Sequence, residues 1–271
     1  MSLFFDYYTA SLPASPKRVI DVLLSENEYS EPIPTKAFNG YEQAYKIIRG
    51  DHVLATVQYG GNTGPNVQAY ASGADSIPFS GLIREVFKEH GLVRSDVAAD
   101  YNEPCAWESL ETLALTTADK YRLKVKHEGD FHRKESGRTI SIGSRQSACY
   151  HRIYEKGKQL KIPDKPNWVR SETEFKPQKT AARLAYAHAT PEQILHATKW
   201  TQFIYVQLNG PSRTVQLAPA GTIRVPTDDE QTFRHFFAQY SNLLARKLEE
   251  FGGDYSELGL FIATNLTNKA P

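Results

Sequence analysis

The sequence predicts an α+β fold with a helical C-terminal part. Three observations predict it. Runs with period-two alternation, joined by short turns, fill the first two thirds of the chain. Amphipathic segments with helix start and stop signals are interleaved among them. From about residue 181 onward the pattern becomes helical almost throughout. A chain of 271 residues can bury a substantial core, and 40% hydrophobic with 23% charged residues is ordinary globular composition.

In chain order, Leu3 to Thr9 reads as a first strand. Ser15 caps a helix whose first residue is Pro16 and whose apolar stripe is Val19, Ile20, Leu23 and Leu24. Tyr41 to Arg49 and His52 to Tyr59 form a hairpin about Gly50-Asp51, and Asn66 to Ser72 is a further strand. The glycines at 60, 61 and 64 are turn residues; no Lys-Ser/Thr follows them, so they make no phosphate loop. Phe79 to His90 carries Leu82, Ile83, Val86 and Phe87 at helical spacing and ends at Gly91.

Leu92 to Tyr101 is a strand with Arg94, Asp96, Ala98 and Asp100 on one face. Alternate carboxylates on a strand can point at one cation, and such hard oxygen donors suit Mg²⁺ or Mn²⁺; an exposed edge of alternating charge would read the same way. A helix over about Cys105 to Asp119 follows, then a basic strand over Tyr121 to His127 and a polar loop to Gly137. Thr139 to Lys158 reads as strand, turn, strand. Its second strand places Tyr150, Arg152 and Tyr154 on one face, with Lys156 and Lys158 just beyond. A phenol can attack phosphorus and form a covalent intermediate where cations hold the phosphate. The competing reading is a half-exposed strand with ordinary aromatic and cationic cross-strand pairs. Trp168 to Lys176 aligns Arg170, Glu172, Glu174 and Lys176 on one face, an acid pair that gathering around an ion would relieve.

The remainder is helical. Thr190 to Gln193 is a capping box opening a helix towards Asn209-Gly210, and Thr227 to Glu230 is another. Behind it Phe233, Phe236, Phe237, Tyr240, Leu243, Leu244, Leu248 and Phe251 form a stripe suited to a core or a dimer face.

The formal net charge is +1, but between Lys120 and Lys165 there are thirteen cations against five acids, a local field suited to a polyanion such as DNA. The two cysteines, Cys105 and Cys149, lack metal-site spacing and imply no disulfide scaffold, which fits a reducing, cytoplasmic setting. No signal-peptide pattern and no membrane-length apolar run are expected from the sequence. The eight histidines are scattered, with neither a His-x-His nor an HExxH pattern.

Taken together, RSDVAAD (94–100), GSRQS (143–147) with RIYEK (152–156), and RSETEFK (170–176) resemble the Rep_trans, or replication initiation factor, family of rolling-circle initiators from plasmids, phages and mobile elements. The resemblance extends over about residues 4–176 and is most specific in its second half. Two departures are Ala99 before Asp100, and Gln159 where a glutamate is usual. The resemblance implies an antiparallel-sheet, nickase/relaxase-like core with helices on one face. It implies a catalytic domain over 1–180, built from halves of about 1–100 and 101–180; the helical region over 181–271 lies outside the resemblance and is expected to serve accessory DNA binding or dimerisation.

By the same resemblance Tyr154 would be the nucleophile, with Tyr150 as the fallback. Arg152 and Lys156 would neutralise phosphate oxygens. Asp96 and Glu172 would ligate Mg²⁺ or Mn²⁺, with Asp100 and Glu174 as further ligand candidates. The expected activity is a metal-dependent nick in origin DNA that leaves a 5′-phosphotyrosyl link and a free 3′-hydroxyl, followed by rejoining of the strand. Single-stranded and duplex origin DNA, a host helicase and a DNA polymerase would be the partners. A conjugative relaxase with the same chemistry, or a non-cutting DNA-binding regulator on the same fold, are the alternatives.

Overall fold

In the computed structural model, residues 2–133, 135, 137–211 and 228–267 are described. The chain divides into two units, Met1–Ile223 and Arg224–Pro271.

In the first unit, β1 (Phe4–Leu12) is followed by α1 (Pro16–Ser25), β2 (Glu31–Thr35), β3 (Gln43–Arg49), β4 (His52–Tyr59), β5 (Val67–Ser72), α2 (Ser76–Val86) and β6 (Gly91–Tyr101). Then come α3 (Ala106–Tyr121), β7 (Val125–Gly129), β8 (Arg138–Gly143), β9 (Cys149–Tyr154), α4 (Lys156–Gln159) and β10 (Val169–Phe175). Three helices, α5 (Thr180–Ala185), α6 (Pro191–Leu195) and α7 (Lys199–Asn209), complete it. The strands form one antiparallel sheet in the order β2-β3-β4-β5-β1-β6-β10-β9-β8-β7. This is the α+β architecture expected from the sequence.

One face of the sheet is apolar and carries helices α1, α2, α3 and α7. Tyr8, Leu12, Val57, Val67, Leu92, Val97 and Phe175 pack there with Val19, Leu23, Phe79 and Ile83 of α1 and α2. Ile140, Ile142, Ile153 and Val169 pack with Trp107, Leu110 and Ala114 of α3 and Ile204 of α7. Period two sends the alternate residues of the central strands to the other, polar face. Helices α5, α6 and α7 belong to the unit that contains the sheet: α5 and α6 touch β6, and α7 packs on α3.

Several local expectations shift for physical reasons. β2, Glu-Pro-Ile-Pro-Thr, was not anticipated; its two prolines are tolerated because it is an edge strand. The helix expected from Phe79 starts earlier, at Ser76, whose hydroxyl donates to the Phe5 carbonyl at 2.5 Å. The basic strand begins at Val125 because α3 continues to Tyr121 and ends with Arg122 in a left-handed conformation. The single helix expected from Pro191 to Asn209 is two: Thr198 is extended, and its hydroxyl accepts the Thr201 N–H at 3.2 Å, starting a second helix.

A close approach fixes the turn after β9. The Gly157 N–H donates to the Trp168 carbonyl at 3.0 Å, and a Cβ on Gly157 would lie 2.0 Å from the Lys165 carbonyl oxygen. Only glycine lets the connector to β10 lie across α4, which carries Lys156 and Gln159.

The second unit contains α8 (Asp228–Glu250) and α9 (Tyr255–Thr267). The Phe251 and Phe261 rings meet at 5.6 Å. Phe233, Phe236, Phe237, Tyr240 and Leu243 remain exposed on α8. The capping box expected at Thr227 to Glu230 begins outside the described residues. Among the described residues, no helix is long and apolar enough to cross a membrane.

Candidate active site

The site is built where β1, β6, β10 and β9 lie side by side, on the polar face of the sheet. Antiparallel register sets Glu174 opposite Asp96, Glu172 opposite Ala98 and Arg170 opposite Asp100. On the other flank of β10, Glu172 faces Arg152, Arg170 faces Tyr154 and Glu174 faces Tyr150. Every one of these charged or phenolic side chains therefore emerges on the same side of the sheet.

An open groove of about 330 Å³ runs over this surface, lined among others by Asp6, Asp96, Arg152, Tyr154, Lys156 and Glu172. The Tyr154 hydroxyl donates to Glu172 Oε2 at 2.7 Å. Arg152 donates to the other oxygen, Oε1, and lies 3.9 Å from Asp96 Oδ2. Asp96 is also gripped by Arg94, Nε to Oδ1 at 2.8 Å and Nη2 to Oδ2 at 2.6 Å. The two carboxylates pull apart in acidity. Burial pushes Asp96 up to about 6 against the opposing hydrogen bonds of Arg94. Burial also pushes Glu172 upward, but Arg152 and the hydrogen bonds of Tyr154, Arg152 and Asp96 outweigh it and hold Glu172 below its ordinary value. Asp96 therefore holds its proton to a higher pH than Glu172 does. Burial, then the Glu172 charge, hold the Tyr154 phenol protonated well above its usual range. Burial, then the neighbouring Arg170, lower the Lys156 ammonium.

The other expected site residues lie nearby but are otherwise engaged. Asp100 is held by Arg170, Nε to Oδ1 at 2.7 Å and Nη2 to Oδ2 at 2.8 Å. Glu174 pairs with Arg94 at 2.9 Å and Lys176 at 2.5 Å. Neither lines the groove. Tyr150 is buried, 7% exposed, and faces a neighbouring groove with Arg145 over its ring at 5.2 Å.

Sequence reasoning missed Asp6. Its side chain pairs with Arg170 Nη1 at 2.7 Å and lines the groove. Regular alternation from Phe4 would send Asp6 and Tyr8 to the same face. A register shift between Phe5 and Tyr7 breaks the count, so Phe5 and Tyr8 both face the core with rings 5.2 Å apart, while Tyr7 stands opposite Asp96. The only signal in the sequence is an acid inside an otherwise apolar Phe-Phe-Asp-Tyr-Tyr run.

A divalent ion is expected at such a site. Among the described residues, no three His, Cys, Asp or Glu side chains gather closely enough to hold one. The reason is visible: Arg170 draws Asp100 away, while Arg94 and Lys176 occupy Glu174. What the groove does offer is two carboxyl groups, Asp96 and Glu172, with Arg152 between them: it donates to Glu172 Oε1 and lies 3.9 Å from Asp96 Oδ2. Two carboxylates with the oxygens of a bound phosphate are a donor set suited to Mg²⁺ or Mn²⁺, which seldom demand an all-protein cage.

Residues 94–203 match the replication initiation factor family. That span begins at Arg94 of the acidic strand and includes all eight residues singled out from the sequence, with α5, α6 and the first part of α7. The family resemblance read from three short motifs is therefore borne out. Among solved structures, the chain is similar to a rolling circle replication initiator protein from Geobacillus stearothermophilus. The TM-score is 0.51 at 19% identity, over 72% of this chain and 83% of that one. A likeness at that identity speaks for the fold, and it agrees with the large antiparallel sheet and flanking helices. No curated protein matches the chain.

Proposed function

We propose that this protein initiates rolling-circle replication by nicking one strand of origin DNA through attack of Tyr154 on a phosphodiester. The observation that carries the reading is the groove in which Tyr154, Glu172, Asp96, Arg152 and Lys156 converge on the polar face of the sheet. The family match adds the biological setting.

In this reading Glu172 Oε2, already the acceptor of the Tyr154 hydrogen bond, takes the phenolic proton. The phenolate oxygen forms a bond to phosphorus as the bond to the 3′-oxygen breaks. The 5′-phosphate remains on Tyr154, and the 3′-oxygen takes a proton from solvent and leaves as a primer end. Arg152 and Lys156 neutralise the non-bridging oxygens. Mg²⁺ or Mn²⁺, which Asp96 and Glu172 would hold, supplies further stabilisation of charge on the phosphoryl oxygens. Because the phosphotyrosyl bond stores the energy of the broken linkage, the strand can be rejoined without a nucleotide cofactor. A host helicase and a DNA polymerase are the expected partners.

Labelled single-stranded DNA incubated with the protein and Mn²⁺, then resolved under denaturing conditions, tests this directly. A covalent adduct that forms with wild type and not with Tyr154→Phe supports the reading. An adduct that persists in Tyr154→Phe overturns the assignment. Binding with no adduct under any ion would leave a DNA-binding regulator instead.

A further inference from the structure

The polar face continues past Tyr154 towards the β7 edge, where a second groove of about 600 Å³ is lined by Lys124, Lys126, Ser141, Ser144, Arg145 and Tyr150 among others. Lys126 stands opposite Ser141, and Ser141 opposite Arg152, so one row of side chains crosses three strands and ends at the Tyr154 groove. The groove is cationic. Its one acid, Glu128, is paired with Lys126 at 2.7 Å. Lys124 and Arg145 make no ion pair among the described residues, and Arg145 lies over the Tyr150 ring.

Two atoms of that row are left over by the fold. Ser141 Oγ is buried, its residue 1% exposed, and has no hydrogen-bond partner; Arg152 Nε is buried without one as well. Buried polar groups are normally paired, and leaving them unpaired costs stability. A hydroxyl and a guanidinium N–H on neighbouring strands, beside further cations, are donors of the kind that phosphate oxygens accept.

We infer that Ser141, Arg152, Lys124 and Arg145 form a second phosphodiester subsite, which holds the phosphate next to the one at Tyr154. The backbone of a single DNA strand then crosses β9, β8 and β7 in turn. This rests on the proposed function insofar as Tyr154 marks the scissile position, but it concerns binding and is read separately from cleavage.

The test uses the full chain and a fluorescent single-stranded oligonucleotide, with anisotropy recorded across a salt series. Lys124→Ala/Arg145→Ala is expected to weaken binding at least about tenfold, and to flatten the slope of log K against log salt by about 1.4 for two lost phosphate contacts. Ser141→Ala is expected to weaken binding severalfold with no loss of melting temperature. In a series of oligonucleotides carrying one uncharged methylphosphonate each, a position beside the cut weakens wild-type binding and costs the variants nothing further. Unchanged affinity and salt slope in both variants would overturn the subsite, while an intact Tyr154 adduct would leave the proposed function standing. Loss of binding in the variants of a protein that forms no adduct would support the subsite and remove the nicking reading.

Discussion

Tyr154 and Glu172 are joined diagonally across neighbouring strands by a 2.7 Å hydrogen bond from the phenol to the carboxylate. The same carboxylate takes an Arg152 hydrogen bond on its other oxygen, so Glu172 sits between the candidate nucleophile and a cation. Removing the phenolic oxygen leaves the ring packed as before and costs about 1 kcal/mol of stability for one lost hydrogen bond. Tyr154→Phe is therefore expected to fold, to bind single-stranded DNA within about twofold of wild type and to form no covalent adduct. Circular dichroism melts and denaturing gels check the two halves of that statement.

The raised Asp96 carboxyl makes the site pH-dependent. Its folded value of about 6 lies above that of a free carboxyl, so the folded state keeps the carboxyl proton where the unfolded state has lost it. The stability this group contributes is therefore present in acid and declines as pH rises towards and through about 6. Asp96→Asn should flatten that decline in urea denaturation series. For the proposed nicking the sign is opposite, since an ion at Asp96 would need the carboxylate. The rate at fixed Mn²⁺ is expected to rise with pH through about 6, with a midpoint that moves down as Mn²⁺ increases. A midpoint indifferent to Mn²⁺ would separate Asp96 from the ion.

Arg170 is a clamp beside β9, the strand that carries Tyr154. It is 6% exposed, faces Tyr154 in the ladder and joins Asp6 of β1 to Asp100 of β6. Arg170→Ala strands two carboxylates and is expected to cost about 3 kcal/mol. Arg170→Lys should recover little, since an ammonium cannot reproduce the two-pronged grip on Asp100 while reaching Asp6. Chemical denaturation of the two variants measures both effects.

Ser141 makes the opposite prediction. Its hydroxyl is buried without a partner, so Ser141→Ala removes an unpaired polar group. Stability is expected to hold or to rise by up to about 1 kcal/mol. A loss above about 1 kcal/mol would mean that the hydroxyl is used by the fold.

The two thiols should differ sharply. Cys105 is exposed, whereas Cys149 is buried on the helix side of β9, where burial pushes its thiol up to about 12. A chromogenic disulfide reagent is expected to titrate one thiol per native chain quickly and the second only after denaturation.

Much of this surface was legible before any coordinates. Which residues of one strand share a face follows from backbone geometry alone, so Tyr150, Arg152 and Tyr154, and likewise Arg94, Asp96 and Asp100, could be grouped by counting. The α1 cap at Ser15 and the Thr190 capping box were equally local and appear as read. Less legible was anything depending on interrupted local order. The bulge that brings Asp6 into the groove and the extended Thr198 that divides α6 from α7 each turn on one residue's backbone conformation, selected by packing.

By itself, then, the sequence determined the strand faces, the basic stretch around β9 and the family motifs, because these are properties of neighbouring residues along the chain. The tertiary structure alone decided that β6, β10 and β9 are adjacent, which carboxylates the arginines take and which stay in the groove, and that Ser141 meets Arg152. Those outcomes come from register between strands far apart in sequence and from competition among buried charges. Such energies depend on through-space distances of a few ångströms, which no spacing along the chain encodes.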